Sequence, residues 1–420
     1  MTEASQAADV RSALRAGLAA WRAPLVDLCA ELVRCDSSNP PGDTRAAADV
    51  IARFLAHHRA IELRRIAPDP MRVNVVAILR GGRSGPRLVF NGHLDTGPVP
   101  EPEAWSVPPF GGVMRDGRIY GRGVTDMKAG VAAQVMALAA LAPFVDRLAG
   151  ELVLTGVADE GSGAALGARH LLETLPETRG DALLSADVGS PGLATIGEKG
   201  FAWLELVARG RSAGGAHAHR GVNAADRLID GLLSLRPLAR ACQLPGELAS
   251  LASGAAEQAP EDLARRSVTI NLGRIESGIA CNQVPSEARA LVDLRLPPGL
   301  RLAELLAEVE ERLCGHEITL RVIDCAEPNW TSPDALIARL VQKAGADVQG
   351  IAPQAQWRLG FSDARFWRQR GVPAVGYGVT AHNGSAPDEY VLIDDMVSVF
   401  EVHALCACDF LGGAEERNER

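Results

Sequence analysis

Arg87-Leu88-Val89-Phe90-Asn91-Gly92-His93 is the stretch on which the fold turns. It reads as a β-strand whose apolar body ends in polar residues. Working outward, Arg72 to Leu79 reads as the strand before it, across a Gly-rich turn. Glu151 to Val157 and Ala182 to Ser185 read as later strands, and Gly123 to Leu141 as a loop feeding an Ala/Met/Leu-rich helix. Upstream, Val10 to Leu55 reads as helices interrupted by the loop Ser37-Ser38-Asn39-Pro40-Pro41-Gly42. This alternation predicts an α/β fold, a mixed sheet with helices on both faces. In such sheets a site forms just past the carboxyl ends of strands, where His93 and its neighbours stand.

Near Gly197 the pattern changes. Phe201 to Ala208 alternates like a half-exposed antiparallel strand, and Val268 to Leu272 and Ala288 to Leu296 look similar. Helical stretches follow at Ala224 to Leu235 and Leu302 to Leu313. Together they make a compact α+β unit of roughly 125 residues, within the usual domain range. After Cys325 the α/β character returns, with Val372 to Gly376 as a short strand. The expectation is a catalytic, metal-binding domain of residues 1–198 and 325–420, with an inserted α+β lid and dimerisation domain at 199–324.

At 420 residues two domains are natural, and 47% hydrophobic with 23% charged residues is ordinary for a globular chain. A formal charge of -9 without a basic run argues against a nucleic-acid partner. The eight cysteines include no C-x-x-C pair, so we expect buried, reduced thiols and no zinc knuckle. Cys406 and Cys408, two apart in a helix-like tail, should point to different faces. The N-terminus is polar and Ala-rich, without an apolar run suited to a signal peptide or a membrane span. A cytoplasmic protein with no membrane partner is expected.

Four clusters carry the chemistry: His93-Leu94-Asp95, Asp126-Met127-Lys128, Asp159-Glu160 and Asp187. Imidazole with carboxylates suits zinc or a related divalent ion. A hydrolytic site of this kind also needs a carboxylate that takes a proton from the attacking water.

These residues resemble the co-catalytic zinc family of acetylornithine deacetylase, succinyl-diaminopimelate desuccinylase, aminoacylase and glutamate carboxypeptidase. Asn91-Gly92-His93-Leu94-Asp95-Thr96 resembles that family's first metal motif. Trp105, Pro109-Phe110 and Tyr120-Gly121-Arg122-Gly123-Val124-Thr125-Asp126-Met127-Lys128 resemble its second. Ala158-Asp159-Glu160, Asn282-Gln283-Val284-Pro285, Gly360-Phe361-Ser362-Asp363-Ala364-Arg365 and Pro387-Asp388-Glu389-Tyr390 follow in family order.

The resemblance implies a metal-dependent hydrolase acting on the amide bond of an N-acyl amino acid or small peptide. It implies one or two divalent ions, zinc first, with cobalt or manganese as alternatives. His93 and Asp187 would hold the first ion, with Asp126 bridging two. Asp95 would fix the His93 tautomer, and Glu160 would be the general base. Asn282, Arg295 and Gly360 would bind a substrate that carries a carboxylate, Arg295 by a bidentate grip. A homodimer through the lid is implied as well, in keeping with the open sheet edge that so small a domain leaves.

Three positions depart from the family. A second glutamate, expected as a ligand of the second ion, is replaced by Gly161. If the register slips by one, Asp159 becomes the base and Glu160 the ligand. The terminal metal-binding histidine falls on Ser385, with His382 three residues back as a replacement. A lid histidine that polarises the scissile carbonyl falls on Gly214, with His217 as its replacement and His219 as a residue of structural role. These losses leave two further readings open: a biosynthetic acyl-transfer or condensation enzyme, and a non-catalytic homologue.

Overall fold

The computed structural model describes residues 3–249, 251 and 260–412. In chain order its strands are β1 Ile61–Ile66, β2 Asn74–Arg80, β3 Arg83–His93, β4 Val113–Arg115, β5 Arg118–Tyr120, β6 Ala149–Val157, β7 Ala182–Ser185 and β8 Leu193–Glu198. There follow β9 Gly200–Arg209, β10 Thr269–Ser277, β11 Glu287–Leu296, β12 Ile318–Ala326, β13 Asn329–Trp330, β14 Gln354–Arg358, β15 Ala374–Gly376 and β16 Tyr390–Leu392. The chain divides into two compact units. One comprises Met1–Ile196, Thr331–Gln356 and Ser362–Arg420; the other comprises Gly197–Trp330 and Trp357–Phe361.

The first unit is built on a mixed sheet in the order β1-β2-β6-β3-β7-β15-β8. At its centre β3 runs parallel to both β6 and β7, and β15 parallel to β7. Leu88, Val89 and Phe90 are all fully buried because both faces of this strand are covered. Val89 joins Val76, Ile78, Val153 and Leu183 under Leu171 and Trp367, from the helices Ala168–Thr174 and Ala364–Arg368. Phe90 points the other way, where His403 meets it edge-on with ring centroids 5.2 Å apart. Each such side chain contributes about 1.5–3 kcal/mol on burial.

The helix Ala129–Leu141 is buried at every position. A helix apolar all round belongs inside a core, and this explains an otherwise ambiguous signal. Val124–Arg147 is long and apolar enough to cross a membrane by length and composition, yet 78% of its most apolar window lies inside the protein. Close approach is possible because residue 130 is glycine: a Cβ there would lie 2.1 Å from the Ala186 carbonyl oxygen. That contact locks the helix against the turn that follows β7.

All eight cysteines are free, and the expectation of general burial needs correcting. Cys281, Cys314 and Cys325 are exposed, since they sit in a surface turn, at a helix end and on an edge strand. Cys406 and Cys408 point to different sides of the helix Ile393–Gly412, but both sides are buried.

The second unit holds an antiparallel sheet in the order β10-β11-β9-β12. Helices Ala224–Leu235 and Leu302–Leu313 cover one face, where Leu204, Leu206, Val292 and Leu294 meet Leu228 and Val309. Asn223 starts the first of these helices, its Oδ1 accepting from the Ala225 backbone N–H at 2.9 Å. Lys199 anchors the segment before β10, its Nζ donating to the carbonyls of Ala264 at 2.8 Å and Ser267 at 2.6 Å. Burial pushes that ammonium down to about 8.

Candidate metal centre

Parallel strands bring their carboxyl ends to one rim. β3 ends on His93, β6 leads into Asp159-Glu160, and β7 leads into Asp187. Asp126 comes from the turn before the helix Ala129–Leu141, with a cis peptide bond to Met127. One ligand atom from each of His93, Asp126 and Asp187 lies within 4.8 Å of the others. His93 Nε2 is 2.9 Å from Asp126 Oδ1. One imidazole nitrogen and two carboxylates at that spacing fit a divalent cation.

His93 is oriented differently from expectation. Its Nδ1–H donates to the backbone carbonyl of Asp95 at 2.8 Å, while the Asp95 carboxylate stays 3.7 Å away. The tautomer that presents Nε2 to the cluster is therefore set by the main chain. The Asp95 carboxylate instead gathers the backbone N–H groups of Glu160 at 3.1 Å and Gly161 at 3.2 Å, and the Asn39 amide at 2.9 Å. It fixes the turn that carries Glu160.

Electrostatics separate the two acids of that turn. Asp159 has a left-handed backbone (φ 69°), and its Oδ2 accepts from the Leu166 N–H at 3.2 Å. The Glu160 carboxyl lies among His93, Asp363, Asp187 and Asp126, and burial pushes it up to about 8. Burial opposes a charged His93, but the hydrogen bond and charge of Asp126, with Glu160 and Asp95 behind it, outweigh that and raise His93 well above its usual range.

The loop bearing Asp126 is held by a residue to which the sequence reading gave no role. Glu389 is fully buried; its Oε1 accepts from Thr125 N at 3.0 Å and Thr125 Oγ1 at 2.7 Å, and its Oε2 from Arg122 Nη1 at 2.8 Å. Antiparallel pairing of β16 with β5 delivers it there. Asp363 was missed in the same way. It is buried, its Oδ2 is 3.5 Å from Asn91 Nδ2, and burial pushes its carboxyl up to about 6. Both lie in the quoted motifs Pro387-Asp388-Glu389-Tyr390 and Gly360-Phe361-Ser362-Asp363, so their place in those motifs was the available signal.

His382 is not among the three clustered ligands. Its ring stacks on Tyr390 with centroids 4.6 Å apart, and its Nε2 is buried without a hydrogen-bond partner. Its loop runs beside the Asp126 turn: a Cβ on Gly384 would sit 3.9 Å from Thr125 Oγ1. Ser385 is exposed, with φ 59°.

The remaining expected residues belong to the second unit. His217 is exposed in the short 3-10 segment Gly215–Arg220, edge-on to His219 at 6.0 Å. Gly215 N donates to Asn282 O at 2.6 Å, so the segments of His217 and Asn282 run side by side. Arg295 lies over the rings of Phe201 and Phe361, which pack on each other with centroids 4.8 Å apart, and Gly360 directly precedes the latter. Its guanidinium is already paired, Nε to Asp293 Oδ1 at 2.9 Å and Nη2 to Oδ2 at 3.0 Å, while Nη1 is buried without a hydrogen-bond partner.

The chain is similar to known proteins over most of its length. The model of peptidase family M20/M25/M40 matches residues 89–409. A succinyl-diaminopimelate desuccinylase of Cereibacter sphaeroides is 32% identical over 386 residues, covering 87% of this chain and 93% of that protein. Among solved structures, the M20 family metallo-carboxypeptidase Sso-CP2 of Sulfolobus solfataricus superposes with a TM-score of 0.76 at 18% identity, over 92% of this chain and 98% of its own. The di-peptidase Dug1p of Saccharomyces cerevisiae gives 0.76 at 14% identity, over 96% and 99%. With the match running from β3 into the last helix, the chain belongs to the M20/M25/M40 peptidase family and is a metal-dependent hydrolase of amide bonds in small molecules.

Proposed function

We propose that this hydrolase removes the acyl group of an N-acyl amino acid or cleaves a small peptide, with Glu160 as general base beside an ion held by His93, Asp126 and Asp187. The observation that carries the reading is the division of labour in one turn: Glu160 faces the cluster, whereas Asp159 is tied to the Leu166 amide. A bound dication would polarise the scissile carbonyl and make the attacking water more acidic. Glu160 would take that water's proton and return it to the leaving nitrogen. Asp95 acts through Glu160, by holding its backbone.

Zinc is the ion we favour, with cobalt or manganese as substitutes. His382 is the fourth candidate ligand, supported by its unpartnered Nε2 next to the Asp126 loop. Asn282, Arg295 and Gly360 would recognise a substrate carboxylate, and His217 would polarise the carbonyl; these roles rest on the family resemblance. The named activity of the bacterial relatives, desuccinylation of succinyl-diaminopimelate, favours an acyl group that itself ends in a carboxylate. We also propose a cytoplasmic homodimer formed through the second unit, whose edge strand β10 exposes Leu272 and Ile275.

The test is metal content together with hydrolysis. Protein purified without chelator should carry one tightly held ion per chain and release the amine from N-succinyl or N-acetyl amino acids or dipeptides. Chelation should abolish that activity and zinc should restore it. Metal-loaded protein that hydrolyses none of the panel, but joins an acyl donor to an amine, would favour the biosynthetic alternative. Inertness in both assays would favour the non-catalytic one.

One substitution probes the altered second site directly. A Cβ on Gly161 would meet nothing closer than Asp95 Oδ2 at 3.5 Å, so a side chain fits. Gly161→Glu should raise the number of tightly held ions from one to two, read by elemental analysis after dialysis. An unchanged ratio would show that the lost carboxylate is not what limits the second ion.

A further inference from the structure

Asp95 does not hold the Glu160 turn unaided. Its buried carboxylate takes N–H donors from the turn itself, at Glu160 and Gly161. A further donor is the side-chain amide of Asn39, whose Nδ2 lies 2.9 Å from Asp95 Oδ2. That same oxygen receives the Gly161 N–H, so the amide and the turn meet on one atom.

Asn39 also reaches the turn directly. Its Oδ1 accepts from the Ser162 hydroxyl at 3.0 Å. Three successive residues of the turn are therefore tied, Glu160 and Gly161 to Asp95 and Ser162 to Asn39. The bonds close a ring: from Asp95 to Gly161, along the chain to Ser162, across to Asn39 and back to Asp95. An amide suits this place because it carries donor and acceptor on one carbon. Turned over, it would set its carbonyl oxygen against the Asp95 carboxylate, so one orientation alone serves both partners.

The loop that carries Asn39 is itself fixed to the rim. Asn39 N donates to Thr96 O at 2.7 Å, and Thr96 N to Ser37 O at 3.1 Å, so the loop pairs with the chain just past His93. The buried Ser37 hydroxyl donates to the Leu94 carbonyl at 2.7 Å. The loop then folds back, Gly42 N donating to Ser38 O at 2.7 Å. Residue 42 has φ +78°, and a Cβ on it would lie 3.2 Å from Asn39 Cγ. Glycine at that point gives the amide room to face Asp95. From the sequence, this loop was only a break between helices.

We propose that Asn39 is a positioning residue for amide hydrolysis. Acting through Asp95 and Ser162 at once, it holds the Glu160 backbone where the carboxyl group can meet the attacking water. The inference rests on Glu160 being the general base.

Asn39→Ala, in the full-length metal-loaded protein, tests it in two ways. The first needs no substrate. Amide hydrogen exchange in a peptide spanning residues 158–166 should quicken by about tenfold, the factor that one charge-assisted hydrogen bond carries. The second uses the N-acetyl or N-succinyl amino acid that the wild type hydrolyses. There kcat should fall by about tenfold to a hundredfold, as a displaced catalytic group loses its approach, with KM little changed. Metal content should stay at the wild-type value, since His93, Asp126 and Asp187 are untouched.

The decisive comparison repeats the change in a Glu160→Gln background. With the base already gone, Asn39→Ala should cost no more than about twofold further turnover, because the two residues act as one unit. A purely structural role would slow both backgrounds alike. Thermal midpoints establish that each variant is folded. Should Asn39→Ala fail that check, Ser162→Ala removes only an exposed hydroxyl and should give the same pattern at smaller size. Wild-type exchange in the 158–166 peptide, or equal loss of turnover in both backgrounds, would overturn the role of Asn39 and leave the base standing. Full turnover by Glu160→Gln would overturn the base, and this inference with it.

Discussion

Glu160→Gln should lower the turnover of amide hydrolysis by about a hundredfold to ten-thousandfold, the usual cost of losing a general base. The amide keeps the size of the side chain and removes only the basic oxygen. Because His93, Asp126 and Asp187 supply the ligand cluster without it, metal content per chain should stay at the wild-type value. The competing assignment makes the opposite prediction. Were Glu160 a ligand and Asp159 the base, Glu160→Gln would lose metal, and Asp159→Asn would stop turnover with metal in place. In the structure Asp159 accepts the Leu166 N–H, so Asp159→Asn should act mainly through stability. Elemental analysis beside turnover, on both variants, decides between them.

Glu389→Ala should be the most damaging single change to stability among the residues described above. Its partner Arg122 is only 8% exposed and Glu389 itself 0%. Removing one member of a buried ion pair typically costs about 3–5 kcal/mol, because the other charge is left stranded. Thr125 N and Oγ1 lose their acceptor as well, so the turn that aims Asp126 should loosen and metal affinity should fall with stability. Replacing both partners by apolar residues, Arg122→Met with Glu389→Leu, should recover part of the lost stability but not the metal affinity. Urea unfolding and metal titration together read this out. A Glu389→Ala variant within about 1 kcal/mol of wild type would contradict the buried-pair argument.

The sequence was most legible where one element obeys one rule. The strand Ala182–Ser185 and the helices Ala224–Leu235 and Leu302–Leu313 fall on their expected residues, since each is apolar with its own period. β1 was not foreseen: only Ile61 on it is buried, and Arg64 and Arg65 form ion pairs at its edge position, so it carries no apolar pattern. The return of Trp357–Phe361 to the second unit left no mark in local periodicity either. At the candidate metal centre, residue types pointed to the cluster that His93, Asp126 and Asp187 form, but hydrogen-bond direction could not be read from them. Hence the Asp95 carboxylate was expected on His93, whereas its acceptor oxygens hold backbone amides of the next turn.

That use of Asp95 has a kinetic consequence. Glu160 is fastened by its main chain, and among the described residues no hydrogen bond restrains its carboxyl group. A group that must collect a proton at one atom and surrender it at another has to travel between the two. In the role proposed for Glu160 the travel would be confined to side-chain rotations, which are fast compared with movements of a backbone loop. The shuttle can swing while its axle stays still.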